Sequence, residues 1–330
     1  MDPTETYHGG DLREAEALFG RPQTRWLDLS TGINPEPYPS TSIDNASWRR
    51  LPQTSARDAL LHAARRYYDV PKPAGIVAAP GSQAILQNLP MLFPTGTVSV
   101  VGPTYAEHAK LWAEHGHEVT TIADLSEAGD ADIVVVVNPN NPDGRTVNPA
   151  ELLEFAQTLS PTSGHLIVDE AFADLDPAAG ILPRLQNEQV LAIRSFGKFF
   201  GLPGLRLGFA AGAPETVALL RQRLGPWAVS GPALEIGARA FADGQWIERT
   251  RARLIDRADA LDNVLTGAGL PIVGGTPLFR LIEHIAAPRL FDRLGRAGIF
   301  VRRFQDRPDR LRFGVPGNTQ DLQRLKQALS

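Results

Sequence analysis

Short, dense apolar runs alternate along this chain with longer stretches in which apolar residues recur every three or four positions. Ile133-Val134-Val135-Val136-Val137 is apolar throughout, as expected of a strand buried on both faces of a mainly parallel sheet. Similar runs predict strands at Gly75–Ala79, Thr97–Val101, His165–Asp169 and Val190–Ser195, with helical stretches between most of them. One such helix runs through Ala59, Leu60, Ala63 and Tyr67, with Ser55 placed to cap it, and another opens near Ser82. From about Pro214 the pattern changes. Helices dominate to Gly267, including a long one over 245–265. Shorter strands follow over 278–282, 299–303 and 311–315, then a final helix. The first 45 residues are rich in Pro, Gly, Ser and Thr and read as an extended arm. The pattern predicts an α/β protein in three parts: an arm over 1–45, a large domain with a mainly parallel sheet over 46–213, and a small α+β domain over 214–330.

Composition narrows the function classes. A chain of 330 residues exceeds the roughly 250–300 at which one hydrophobic core stops growing, which agrees with a second, smaller domain. The net charge of -4 offers no basic surface for nucleic acid. The absence of cysteine removes disulfides, thiolate nucleophiles and thiolate-bound metals together, and no His cluster suggests a metal site. The stretch from Met1 to Arg13 is polar and lacks the apolar core of a signal peptide. No apolar run approaches the roughly 20 residues that span a bilayer. The expectation is a cytoplasmic protein without nucleic-acid, membrane or metal partners.

Parallel sheets bind ligands beyond the carboxyl ends of their strands, and the chemically suggestive residues follow strands there. Ser195-Phe196-Gly197-Lys198 is followed by Arg206, eight residues on. A lysine at such an edge can form an imine with an aldehyde cofactor, and Ser195 and Arg206 could hold a phosphate on it. Asp169 ends its strand and could pair with a protonated pyridine nitrogen; taken alone it could equally cap a helix or bind a metal. Asn138-Pro139-Asn140-Asn141-Pro142-Asp143-Gly144 is built of turn formers, and Asn141 could reach a phenolic oxygen or simply belong to the turn. Gly81 and Ser82 precede a helix whose free N–H groups suit phosphate. Tyr105 could stack on an aromatic ring or merely pack.

In this order, from residue 80 to 206, the pieces resemble the fold-type I enzymes of the class I/II aminotransferase family, which use pyridoxal 5'-phosphate (PLP). The resemblance implies a homodimer with the larger domain binding PLP. It makes Lys198 the imine-forming lysine and Asp169 the partner of the pyridinium. Asn141 would bond the cofactor hydroxyl and Tyr105 would cover its ring. Gly81, Ser82, Ser195 and Arg206 would hold its phosphate. Leu311-Arg312-Phe313-Gly314 is similar to the family's carboxylate-binding segment, which assigns Arg312.

Two branches of the family are similar: histidinol-phosphate aminotransferases and the L-threonine-O-3-phosphate decarboxylases of cobalamin biosynthesis. Tyr7-His8-Gly9-Gly10, Leu12-Arg13-Glu14-Ala15, the stretch from Leu29 to Pro35, and Pro103-Thr104-Tyr105-Ala106-Glu107-His108 resemble the decarboxylases. Phe172 agrees, because aminotransferases usually carry a tyrosine there whose hydroxyl reaches the cofactor oxygen. This resemblance implies loss of CO₂ from L-threonine O-3-phosphate to give (R)-1-amino-2-propanol O-2-phosphate, with Lys198 returning a proton to Cα. Arg302 and His8 would take the substrate phosphate, aided by the backbone of Gly32 and Asn34, and Arg312 the carboxylate. An aminotransferase remains the alternative, and a non-catalytic binding protein a distant one. Gly197 and Leu51 depart from the pattern: the first position often carries a hydroxyl for the phosphate, the second a tyrosine that reaches across the dimer. Pro80 and Gln83 replace the usual Gly and Glu of the phosphate loop.

Overall fold

The computed structural model describes residues 9–40, 42–186 and 189–330. In chain order the strands are β1 (Leu27–Leu29), β2 (Gly75–Ala79), β3 (Thr97–Val101), β4 (Glu118–Ile122), β5 (Ile133–Val137) and β6 (His165–Asp169). They continue with β7 (Val190–Ser195), β8 (Gly208–Gly212), β9 (Ile272–Thr276), β10 (Phe279–Glu283), β11 (Ile299–Arg303) and β12 (Arg310–Gly314). Among the described residues, no helix is long and apolar enough to cross a membrane.

One compact unit holds Pro37–Asn141 and Arg145–Trp246. Its sheet runs β2-β8-β7-β6-β5-β3-β4, and β8 alone is antiparallel to its neighbours. All five residues of β5 are buried, as their apolar run predicts, and Val77, Val98, Val135, Ile167 and Ile193 form the core on one side of the sheet. Since the other strands are parallel, β2, β3, β5, β6 and β7 all end along one edge.

Two sequence expectations change here. The helix Thr54–Tyr67 starts ahead of Ser55, and its cap position is Gln53, which makes no side-chain cap bond. Helices Pro214–Leu224 and Gly231–Ala242, expected in the small domain, belong to this unit. Packing explains it. A Cβ on Gly75 would come within 2.9 Å of Val217, and one on Gly237 within 2.7 Å of Leu207 and 2.8 Å of Leu60. Glycine at both positions lets these helices close on the sheet and on Thr54–Tyr67.

The second unit holds the described part of Met1–Glu36 with Pro142–Gly144 and Ile247–Ser330. Its sheet runs β1-β11-β12-β10-β9, with β1 parallel to β11. The expected extended arm is therefore corrected: it contains the helix Leu12–Phe19 and strand β1. Asp11 caps that helix through Arg13 N at 2.9 Å. Ala15 and the β1 residues Leu27 and Leu29 join a core with Phe291, Phe300 and Leu311. The strands expected at 278–282 and 311–315 lie one residue away, and the long helix runs Gly244–Gly267.

Candidate active site

The ends of five strands of the seven-stranded sheet, the turns beyond them and the turn ahead of β8 carry the expected cofactor residues. β7 ends at Ser195, which opens the single helical turn Phe196–Phe199. Buried aromatics lock this turn. Phe196 stacks on Phe200 with centroids 4.3 Å apart, and Phe200 stacks on Trp246 at 5.5 Å. Lys198 is half-buried on this braced turn, and its Nζ lies 5.7 Å from the centre of the Phe172 ring. Gly197 has a steric reason: a Cβ there would stand 2.8 Å from Pro203 Cα, so a hydroxyl side chain has no room.

Asp169 closes β6 and is 5% exposed. Its Oδ1 accepts from Ala171 N at 3.0 Å, and His108 Nε2 stands 3.0 Å from its Oδ2. The carboxylate is thereby held at both oxygens. His108 is a functional neighbour that the sequence reading did not single out. It is linked to Tyr105 as well, with the two rings edge-to-face at 6.1 Å.

The loops after β3 and β5 are tied into one piece. Thr104 Oγ1 donates to Asn140 Oδ1 at 2.6 Å, and Asn140 Nδ2 donates to Pro103 O at 3.0 Å. Asn138 pairs with the Val147 backbone in both directions, at 2.9 and 3.0 Å. Asn138 and Asn140 thus build the turn that presents half-buried Asn141.

The phosphate candidates also converge. Gly81 has φ +88, and a Cβ on it would stand 2.6 Å from Arg206 Nη2. Only glycine lets the guanidinium lie against that turn. Gly208 is similarly required, because a Cβ there would collide with Ser82 N. Gly81, Ser82 and Arg206 are therefore neighbours. An amine, a bracketed carboxylate, an aromatic ring, an amide and a cation against a glycine turn form the donor set that a phosphorylated pyridine aldehyde requires, so the residues present fit PLP.

Behind Asp169 lies a buried ion network. Arg194 Nε is 3.0 Å from Glu170 Oε2 and its guanidinium is 4.9 Å from the Tyr68 ring centre. Ile181 N donates to the other Glu170 oxygen. Burial pushes the Glu170 carboxyl up from the usual range, and Arg194 pulls it back. The network braces the turn that follows β6.

In the second unit, Arg302 of β11 lies directly opposite Arg312 of β12. Paired antiparallel residues project from the same face, and like charges so placed repel unless an anion joins them. Arg312 Nη2 donates to Ser30 O at 3.0 Å, and the guanidinium covers Phe279 at 5.0 Å. Arg303 turns the other way, to Glu14 at 3.6 Å and the Phe291 ring at 4.9 Å. Burial raises the Glu14 carboxyl, with Arg303 and Arg302 opposing. Gly32 is buried, and Asn34 Oδ1 accepts from Glu36 N at 2.9 Å, which shapes the local turn. Gly10 N donates to Ser30 Oγ at 2.8 Å, so the segment around Gly9 and Gly10 is fixed on the residues after β1. His8 lies outside the described residues.

Known proteins similar to this chain point to a family. A family model, aminotransferase class I and II, matches residues 28–329. A threonine-phosphate decarboxylase from Sinorhizobium sp is 42% identical over 98% of this chain and 97% of its own length. Another from Pseudomonas aeruginosa is 41% identical over 98% of this chain and 96% of its own. Among solved structures, histidinol-phosphate aminotransferase from Sinorhizobium meliloti, in complex with pyridoxal-5'-phosphate, superposes with TM-score 0.84 at 21% identity. It covers 100% of this chain and 96% of the other. At that identity the likeness speaks for the fold alone. This chain belongs to the class I and II aminotransferase family.

Proposed function

We propose that this protein is a PLP-dependent decarboxylase that converts L-threonine O-3-phosphate to (R)-1-amino-2-propanol O-2-phosphate and CO₂, in the biosynthesis of cobalamin. The observation that carries this reading over transamination is the end-to-end match, above 40% identity, to two threonine-phosphate decarboxylases.

When bound, PLP supplies an aldehyde that joins amines and a ring that takes up the electron pair left on Cα as carboxylate departs. The chain's own residues do the rest. Arg206, Gly81, Ser82 and Ser195 hold the cofactor phosphate, Tyr105 covers the ring, and Asn141 donates to its phenolic oxygen. Asp169, fixed by His108 and Ala171 N, keeps a proton on the ring nitrogen. Lys198 carries the cofactor between turnovers. Its Nζ, when not bonded to the cofactor, would deliver a proton to Cα. Phe172 offers that amine an aromatic face and no hydroxyl. Arg302, with His8 and the backbone of Gly32 and Asn34, takes the substrate phosphate, and Arg312 takes the carboxylate.

A cytoplasmic homodimer belongs to the same proposal. Trp48, Leu51 and Trp227 expose 66%, 60% and 60% of their surface, which is apolar area that a second copy can cover.

The test is multiple-turnover CO₂ release from L-threonine O-3-phosphate with PLP and no added 2-oxo acid. A decarboxylase regenerates its cofactor aldehyde each cycle, whereas a transaminase stops after one half-reaction. Glutamate formed from histidinol phosphate and 2-oxoglutarate, with no CO₂ from threonine phosphate, overturns the reading in favour of an aminotransferase.

A further inference from the structure

We infer that Gln83 and Glu107 work as one positioning pair. Glu107 holds the Gln83 amide one way round, and the amide in turn fixes the Tyr105 hydroxyl and the plane of the ring that covers the cofactor. The inference rests on the cofactor reading above and extends it to two residues given no role there.

Tyr105 OH lies 3.2 Å from Gln83 Oε1, and Gln83 Nε2 lies 3.4 Å from Glu107 Oε2. The amide has one accepting end and one donating end, while a carboxylate only accepts. Glu107 therefore requires Nε2 on its side, which leaves Oε1 for the tyrosine and makes the tyrosine the donor. The direction of the relay follows from the chemistry of its three members. Lys110 Nζ, 3.9 Å from Glu107 Oε1, steadies the far oxygen of the carboxylate. Edge-to-face with the ring stands His108, which reaches Asp169. The Tyr105 ring is thus restrained at its hydroxyl and at its edge.

Position also matters. Gln83 is the second residue of the helix Ser82–Asn88, directly after the Gly81–Ser82 turn. One side chain therefore links the turn assigned to the phosphate with the ring assigned to the pyridine. A glutamate at 83 would set two carboxylates about where the 3.4 Å amide contact now is. Like charges at that range disfavour each other's ionised form. Glutamine at 83 and glutamate at 107 are matched, and so would be the reverse assignment.

The experiment measures PLP affinity by titrating apo-protein and following the absorbance of the lysine-bound cofactor. Gln83→Glu alone should weaken PLP binding roughly tenfold or more. The double variant Gln83→Glu with Glu107→Gln should return to within about threefold of wild type, because the swapped pair restores one donor, one acceptor and the same net charge. Gln83→Met keeps the volume and should cost about three- to tenfold. In a Tyr105→Phe background, which has no hydroxyl to hold, Gln83→Met should cost little more. Rescue by the swap and loss of the Gln83→Met effect without the hydroxyl are results that a merely structural role does not give. Equal binding by wild type and Gln83→Glu, or a swapped double no better than Gln83→Glu, overturns the pair. A wild-type chain that takes up no PLP overturns the cofactor reading and this proposal with it.

Discussion

The two sheets carry their charged chemistry in different places. Along the seven-stranded sheet, the residues proposed to carry the chemistry stand at or beyond strand ends: Asp169 is the last residue of β6, and Lys198 lies on the turn after β7. In the five-stranded sheet the arginines sit inside strands, Arg302 in β11 and Arg312 in β12. A group on a turn can change while the ladder behind it persists. A charge within a strand is part of the packing, as Arg312 shows by covering Phe279 and bonding Ser30 O. Substitutions at turns should therefore separate chemistry from stability, and substitutions inside strands should not.

The largest effect expected is at a turn. Lys198→Ala should abolish turnover and leave the melting temperature within a few degrees of wild type. Borohydride reduction followed by peptide mapping checks the first half, since the other lysines are Lys72, Lys110 and Lys326. A cofactor adduct trapped on one of those would remove Lys198 from its role.

Next comes a strand position in the same unit. Arg194→Met leaves the Glu170 carboxylate buried without its cation and should cost about 3–5 kcal/mol of stability. Urea unfolding monitored by circular dichroism reads it. A loss below about 1 kcal/mol would mean that this network does not brace the β6 turn.

Asp169→Asn returns to a strand end. It should retain the bound-cofactor spectrum and slow decarboxylation by at least about 10²-fold, as loss of one preorganised electrostatic partner costs roughly 3 kcal/mol. Single-turnover CO₂ release measures it, and a near-normal rate would break the assignment.

The smallest effect is at Arg302. Arg302→Ala should raise KM for threonine phosphate by the equivalent of about 1.5–3 kcal/mol, with the cofactor spectrum unchanged. Cofactor loss without a change in KM would mean that the five-stranded sheet does not handle the substrate anion.

Much of the larger unit can be read from sequence, and the reasons are physical. β2, β3, β5, β6 and β7 are dense apolar runs ended by turn formers, and each has the bounds its pattern predicts. β8 escapes because Gly-Phe-Ala-Ala-Gly has little intrinsic strand preference and is held by two neighbours. β4 escapes because it is a largely exposed edge with polar residues. In the first 45 residues, Pro and Gly hide a helix whose apolar Leu12, Ala15 and Phe19 pack only once the five-stranded sheet exists. The site divides the same way. Lys198, Asp169 and Arg206 announce themselves by local motif. His108 does not, because its partner Asp169 is 61 residues away and no local pattern encodes that contact.

The cross-strand register of Arg302 and Arg312 has a practical corollary. Two cations that share one face of paired strands favour an oxyanion beside them, so inorganic phosphate or sulfate in a buffer should act as both a stabiliser and a competitor. Protein stored in phosphate should melt later than protein in a zwitterionic buffer, yet show weaker apparent affinity for its substrate. Comparisons between laboratories would then hinge on the anion in the bottle as much as on the enzyme.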